Sequence, residues 1–334
     1  MSGDWFATAP HVLSGETADV YFLRTREVMT AAGLNPIAAM EVFPSRAGIL
    51  CGMREVHALL KAVLPSDADV WALGEGDAIA AKEVVLRIRA LYLSYAIYET
   101  AILGILASET GWATAAADCV AAADGVPVVS FGARHVHPNA AAYIDYAAVI
   151  GGCASCSTPL GATLAGTEAS GTMPHAMVIC FGDTVEAALA FDKHVDAAAP
   201  RTVLVDTFLD EADEAVRVAG ALGHRLQAVR LDTPSELGGV TPELVRRVRH
   251  RLDEQGFSRV RIFVSGGVTP ERIREFGEAR APVDGFGVGS YISAAPPNDF
   301  TADLKEIDGR PVAKRGRTPG ITPNPRLKPL DLSV

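Results

Sequence analysis

Residues 261–293 read RIFVSGGVTPERIREFGEARAPVDGFGVGSYIS, and their pattern decides the fold. Arg261-Ile262-Phe263-Val264 is a β-branched and aromatic run that ends at Ser265-Gly266-Gly267, and Pro270 then opens a polar helix. Residues 285–289 form a second short apolar run ending in Gly289-Ser290. Glycines directly after a strand let backbone N–H groups approach an anion, and a following helix points its positive end at the same place. Two such strand ends in succession, late in a βα series, predict the phosphate cup of a (β/α) barrel.

The texture of the chain before this stretch agrees. From Trp112 onward short strands alternate with helices: an alanine-rich helix over 115–123, strands at 126–130, 202–206 and 227–232, and helices over 139–148, 211–222 and 242–255. Alternation at this spacing implies parallel strands joined by right-handed crossovers. Residues 1–80 read as a mixed α/β segment, with a helix over 23–31 stopped by Gly33 and Asn35-Pro36, a helical pattern over 49–64 and a strand at 70–73. Residues 84–90 alternate like a strand, and 92–107 carry the helical stripe Tyr95, Tyr98, Ile102, Leu103, Leu106. Beyond Pro296 the chain is rich in Pro, Gly and basic residues, either as a solvated arm or as a clamp returning to the site.

Composition narrows the function. A chain of 334 residues, 49% of them hydrophobic, holds one large barrel and a smaller domain with a sizeable core. A net charge of −10 argues against a general nucleic-acid surface. The N-terminus lacks the basic region and apolar core of a signal peptide, and the longest uncharged run, 146–167, is broken by Gly, Ser and Pro and does not span a membrane. Five cysteines, an odd number, suit a reducing compartment, so a soluble cytoplasmic enzyme is expected. Cys153 and Cys156 have redox or half-zinc spacing, but no second Cys or His pair lies at finger spacing. The histidines are dispersed and no HExxH occurs, so no resident metal site is expected.

Polar residues recur where the expected strands end: Arg134 after Phe131-Gly132, Asp206-Thr207 after VLV, and Arg230-Leu-Asp232. In a barrel these share one mouth with the glycine turns. A carboxylate such as Asp232 beside a phosphate cup suits ribose hydroxyls, because ionised Asp only accepts hydrogen bonds. An Arg there holds phosphate or carboxylate through its planar fork. His175 sits in the turn Gly171-Thr172-Met173-Pro174 before a helix, where a cap and a catalytic group are both open readings.

The segments ADVYFLRT, YETAILG, FGAR, GTMPHA, VDTF, RLDTPS, VSGG and FGVGS, in this order, closely resemble the nicotinate phosphoribosyltransferases, a branch of the type II phosphoribosyltransferases. The resemblance implies an α/β fold: an irregular (β/α) barrel over 113–295, and an N-terminal α/β domain over 1–112 to which 296–334 return. It implies transfer of a phosphoribosyl group from phosphoribosyl pyrophosphate to nicotinate in NAD synthesis, with Mg2+ accompanying that substrate, coupling to ATP left open, and a homodimer or larger assembly sharing active sites. His175, Asp206, Arg230 and Asp232 would be the catalytic set, His175 resembling a histidine that some members phosphorylate. Phe131, Arg134, Ser157 and the partner subunit's Tyr21 would bind the base. Ser265, Gly266, Gly267, Gly287, Gly289 and Ser290 would form the 5′-phosphate cup, with Lys314 and Arg315 near the pyrophosphate.

Three places depart from the family pattern. His135 stands where a second Arg is common, Ala154 where an Asp is common, and Glu236-Leu237-Gly238-Gly239 where basic or polar residues are usual. The first two are expected near the base and the third near the phosphoribosyl group. Two other readings stand beside nicotinate: a different pyridine or azole base, and a non-catalytic homologue that senses a mononucleotide. A sensor would need only the cup and the base wall, so Arg134, His175, Asp206, Arg230 and Asp232 together argue against it.

Overall fold

The computed structural model describes residues 6–333. Five strands come first: β1 (Ile37–Pro44), β2 (Gly48–Ile49), β3 (Asp69–Ala72), β4 (Ala78–Ile79) and β5 (Leu86–Leu91). Six follow after a long helix: β6 (Val128–Ser130), β7 (Ser155–Cys156), β8 (Thr202–Leu204), β9 (Ala228–Leu231), β10 (Arg261–Val264) and β11 (Gly285–Val288). Three close the chain: β12 (Phe300–Ile307), β13 (Arg310–Pro311) and β14 (Lys328–Pro329). Two compact units result, one running to Thr114 and resuming at Ala295, the other spanning Ala115–Ala294.

The first unit is an antiparallel sheet in the order β13-β12-β1-β5-β3-β14. Alternation in β5 buries Leu86, Ile88 and Ala90 and leaves Arg87 and Arg89 outside, where Arg87 closes on the buried Glu41 at 2.8 Å. The core under the sheet includes Met40, Val42, Leu59, Leu60, Ile88 and Leu106. Each such side chain, fully buried, contributes about 1.5–3 kcal/mol.

A single helix runs Glu99–Ala122, where the sequence reading placed two, over 92–107 and 115–123. Ser108-Glu109-Thr110-Gly111 looks like a terminator, but the threonine hydroxyls in and just after it are claimed by another segment. Thr110 Oγ1 accepts from Cys51 N and donates to Cys51 O, and Thr114 Oγ1 accepts from Ile49 N. Gly111 lets a neighbouring segment close in: a Cβ there would lie 2.7 Å from the carbonyl oxygen of Pro296.

Near the start of this helix, burial raises the Glu99 carboxyl to about 7, helped by the negative charges of Asp303 and Asp19. Protonation therefore favours the folded chain. The contribution is complete below about 4.5, the ordinary value, and is lost as pH rises through 7. Glu99→Gln is expected to raise Tm at pH 8 relative to the native chain, with the gain vanishing towards pH 4.5. A gain that does not depend on pH would contradict this.

The second unit is a six-stranded parallel sheet in the order β7-β6-β11-β10-β9-β8, an open half-barrel whose strands alternate with helices. Its helices start cleanly. Thr158-Pro159, Thr241-Pro242 and Thr269-Pro270 each place a Thr hydroxyl where it accepts from a first-turn N–H, with Pro at the first helical position. Asp183 and Asp210 cap two more. The helices bury one face each, as Leu244, Val245, Val248 and Leu252 do for Pro242–Glu254. Among the described residues, no helix is long and apolar enough to cross a membrane.

Candidate active site

The strand ends expected to carry chemistry do converge. A cleft of about 960 Å³ opens beyond the C-terminal ends of β6, β7, β9, β10 and β11, and every residue lining it belongs to the second unit.

Phe131 leaves β6 and lies across β11. A Cβ at Gly287 would be 2.3 Å from Phe131 Cε2, so glycine is what lets the ring lie on the strand. The guanidinium carbon of Arg230 sits 5.9 Å from the centre of the same ring. Arg230 is held by two hydrogen bonds, donating from Nη1 to Thr172 Oγ1 at 2.6 Å and from Nη2 to Asp232 Oδ2 at 2.8 Å. Asp232 Oδ1 accepts from Ser265 Oγ at 3.0 Å. The carboxylate thus arrives with both oxygens oriented and one-fifth of its surface, 21%, open to the cleft.

Gly266 and Gly267 are both left-handed, with φ of 84° and 63°. A Cβ at Gly266 would also lie 2.9 Å from Asp232 Oδ1. Conformation and close approach both demand glycine there. Gly289-Ser290 forms the other glycine turn, and a Cβ at Gly289 would lie 3.1 Å from His135 Nε2. His135, expected near the base, therefore packs against this second glycine turn.

His175 opens the helix His175–Phe181, and its Nε2 lies 3.1 Å from Asp206 Oδ2. The Asp206 side chain is almost wholly buried, and burial raises its carboxyl, opposed by the hydrogen bond to His175. The imidazole itself is 36% exposed. Asp206 Oδ1, Thr207 Oγ1 and Arg230 Nε are buried and have no hydrogen-bond partner.

Of the residues singled out from the sequence, Phe131, Arg134, Ser157, His175, Arg230, Asp232, Ser265, Gly266, Gly267, Gly287, Gly289 and Ser290 all line this cleft. Asp206 stands behind His175 as its partner. Tyr21, Lys314 and Arg315 belong to the first unit and are exposed. Tyr21 lies on the helix Val20–Ala31 with its ring centre 4.3 Å from that of Phe22. Ala154 and the Glu236–Gly239 turn do not line the cleft: both are on the surface, the turn beginning within the short 3-10 helix Ser235–Leu237. Cys153 and Cys156 are buried, and burial pushes both thiols up, the latter to about 12, which makes them poor nucleophiles. Sequence reasoning missed Thr172, which fixes Arg230, and Asp145, a fully buried carboxylate whose one signal is its position within the apolar helix AAYIDYAAVI.

Residues 19–110 match the N-terminal domain of quinolinate phosphoribosyl transferase, and residues 112–303 match its C-terminal domain. The chain belongs to the quinolinate phosphoribosyl transferase family. Within this family it resembles a crystal structure of nicotinate-nucleotide pyrophosphorylase from Pyrococcus furiosus, at 43% identity and a TM-score of 0.87, covering 96% of this chain and 82% of that one. It is 37% identical over 249 residues to nicotinate phosphoribosyltransferase pncB2 of Mycobacterium tuberculosis, a match covering 72% of this chain and 52% of that protein. A 29% identical match to nicotinate phosphoribosyltransferase of Bacillus subtilis covers 67% and 46%. The chain thus spans about half the length of the curated relatives it matches. Human nicotinic acid phosphoribosyltransferase, at 19% identity and a TM-score of 0.69 over 91% of this chain and 77% of that one, shares the fold of this quinolinate phosphoribosyl transferase family member.

Proposed function

We propose that this cleft transfers a phosphoribosyl group from phosphoribosyl pyrophosphate to nicotinate, giving nicotinate mononucleotide and pyrophosphate in NAD synthesis. One observation carries the choice of base. Of the two arginines lining the cleft with Phe131, Arg230 is engaged by Thr172 and Asp232, and the Arg134 side chain has no partner among the described residues. A flat ring with a single carboxylate needs an aromatic wall and one free guanidinium fork. Quinolinate carries two carboxylates, and the second would have to be desolvated without a free guanidinium to receive it.

The remaining groups suit the other substrate. Gly266, Gly267, Gly289 and Ser290 would receive the 5′-phosphate, and Asp232 would accept from the ribose hydroxyls. As pyrophosphate departs, positive charge develops at the ribose carbon and the pyridine nitrogen attacks it. Positioning and fixed charge would supply most of the rate. Mg2+ would accompany phosphoribosyl pyrophosphate and neutralise the leaving pyrophosphate when bound.

His175 has one ring nitrogen on Asp206 and Nδ1 without a partner among the described residues, and we assign Nδ1 as the atom that ATP would phosphorylate. Labelled ATP should leave acid-labile, base-stable phosphate that disappears in His175→Ala. Unlabelled protein with undiminished product formation would reduce His175 to a positioning residue. Tyr21 would complete the base stack from a partner subunit, with Lys314 and Arg315 near the pyrophosphate. Mixing Tyr21→Ala with Asp232→Asn subunits should then restore some activity.

The family description favours a second reading, quinolinate, which would give the same mononucleotide with loss of carbon dioxide. Parallel assays decide between the two. Nicotinate consumption without carbon dioxide release is expected, with Arg134→Ala raising KM for nicotinate at least tenfold. Turnover of quinolinate with carbon dioxide release, and none of nicotinate, would overturn the assignment.

A further inference from the structure

Asp145 takes no part in the chemistry above, yet it is fully buried, and among the described residues no cation pairs with it. Four groups donate to it instead. Oδ1 accepts from Ser130 Oγ at 2.9 Å. Oδ2 accepts from Ser157 N at 3.1 Å, Ser157 Oγ at 3.0 Å and Thr158 N at 2.7 Å. A buried carboxylate is tolerated only when its lone pairs are filled, and here two adjacent strand exits fill them.

The location of those donors gives the carboxylate a purpose. Ser130 is the last residue of β6, directly before Phe131 and two residues before Gly132, whose N–H lies 3.4 Å from Ser130 Oγ. Ser157 and Thr158 follow β7 and line the same cleft. The ladder between β6 and β7 ends at Ser130 and Cys156. Just beyond, where no backbone pair holds the two exits together, Asp145 spans them. The helix Pro159–Ala165 is clamped on as well: a Cβ at Gly161 would be 2.6 Å from Asp145 Cβ.

We infer that Asp145 is a positioning residue for the base, fixing the Phe131–Arg134 wall against the Ser157–Thr158 wall. This rests on the proposed reading of the cleft as a nicotinate site. None of the four donors to Asp145 lies on β10 or β11, which carry the phosphate cup, so its loss should act first and most strongly on the base.

The test measures KM for nicotinate and for phosphoribosyl pyrophosphate in parallel with Tm. Asp145→Ala should raise KM for nicotinate at least tenfold while KM for phosphoribosyl pyrophosphate stays within twofold. Asp145→Asn should restore KM for nicotinate to within about threefold of the native value, because its carbonyl can replace Oδ2 and its amide can donate to Ser130 Oγ, a hydroxyl able to accept. Should Asp145→Ala fail to fold, Ser130→Ala removes one arm alone and should raise KM for nicotinate selectively. Equal changes in both KM values, or a lower Tm with both unchanged, would overturn the inference. A native protein that forms no mononucleotide from nicotinate would overturn the underlying reading instead.

Discussion

Replacing Asp232 with Asn is expected to lower turnover roughly 30- to 1,000-fold while Tm changes little. That range corresponds to about 2–4 kcal/mol of transition-state stabilisation. The carboxylate is oriented on both oxygens, by Arg230 and by Ser265, and still reaches the cleft. Asn keeps the shape and a carbonyl that can accept from Arg230, but loses the charge that strengthens bonds from ribose hydroxyls. Single-turnover rates with phosphoribosyl pyrophosphate and nicotinate, beside thermal melts, check this. Near-native turnover with unchanged Tm would remove Asp232 from the reaction.

Gly287→Ala is expected to raise KM for nicotinate roughly 5- to 150-fold, although it adds a single methyl group. The new Cβ would stand 2.3 Å from Phe131 Cε2 and 3.2 Å from Ser265 Cβ. Strand β11 cannot retreat, since all four of its residues are buried and it pairs with β6 on one side and β10 on the other. The ring must therefore move, and overpacking of this kind costs about 1–3 kcal/mol. Steady-state kinetics would show the loss in KM for nicotinate before any loss in affinity for phosphoribosyl pyrophosphate. Unchanged KM values would mean that Phe131 is not a wall of the base site.

The repeating half-barrel was readable because its signals are local. A β-branched run, then glycines, then a Thr-Pro helix start needs no knowledge of distant contacts, and β10, β11 and the helix Pro270–Glu278 fall where those signals put them. The position of the glycine turns and of Asp232 on the cleft was legible for the same reason. What failed to show was set by long-range contacts. Thr110 and Thr114 look like helix breakers until Cys51 and Ile49 claim their hydroxyls. Asp145 looks like an error in an apolar helix until four donors from Ser130, Ser157 and Thr158 converge on it. His135 follows Arg134 in the chain, but its ring turns to Gly289, a contact that no spacing rule encodes.

The most direct measurement incubates the purified chain with phosphoribosyl pyrophosphate, Mg2+ and nicotinate and follows the products by mass spectrometry. Nicotinate mononucleotide and pyrophosphate should appear in equal amounts, and both should fall sharply with Asp232→Asn. A protein that binds phosphoribosyl pyrophosphate yet forms no mononucleotide from nicotinate, with or without ATP, would contradict the proposed function.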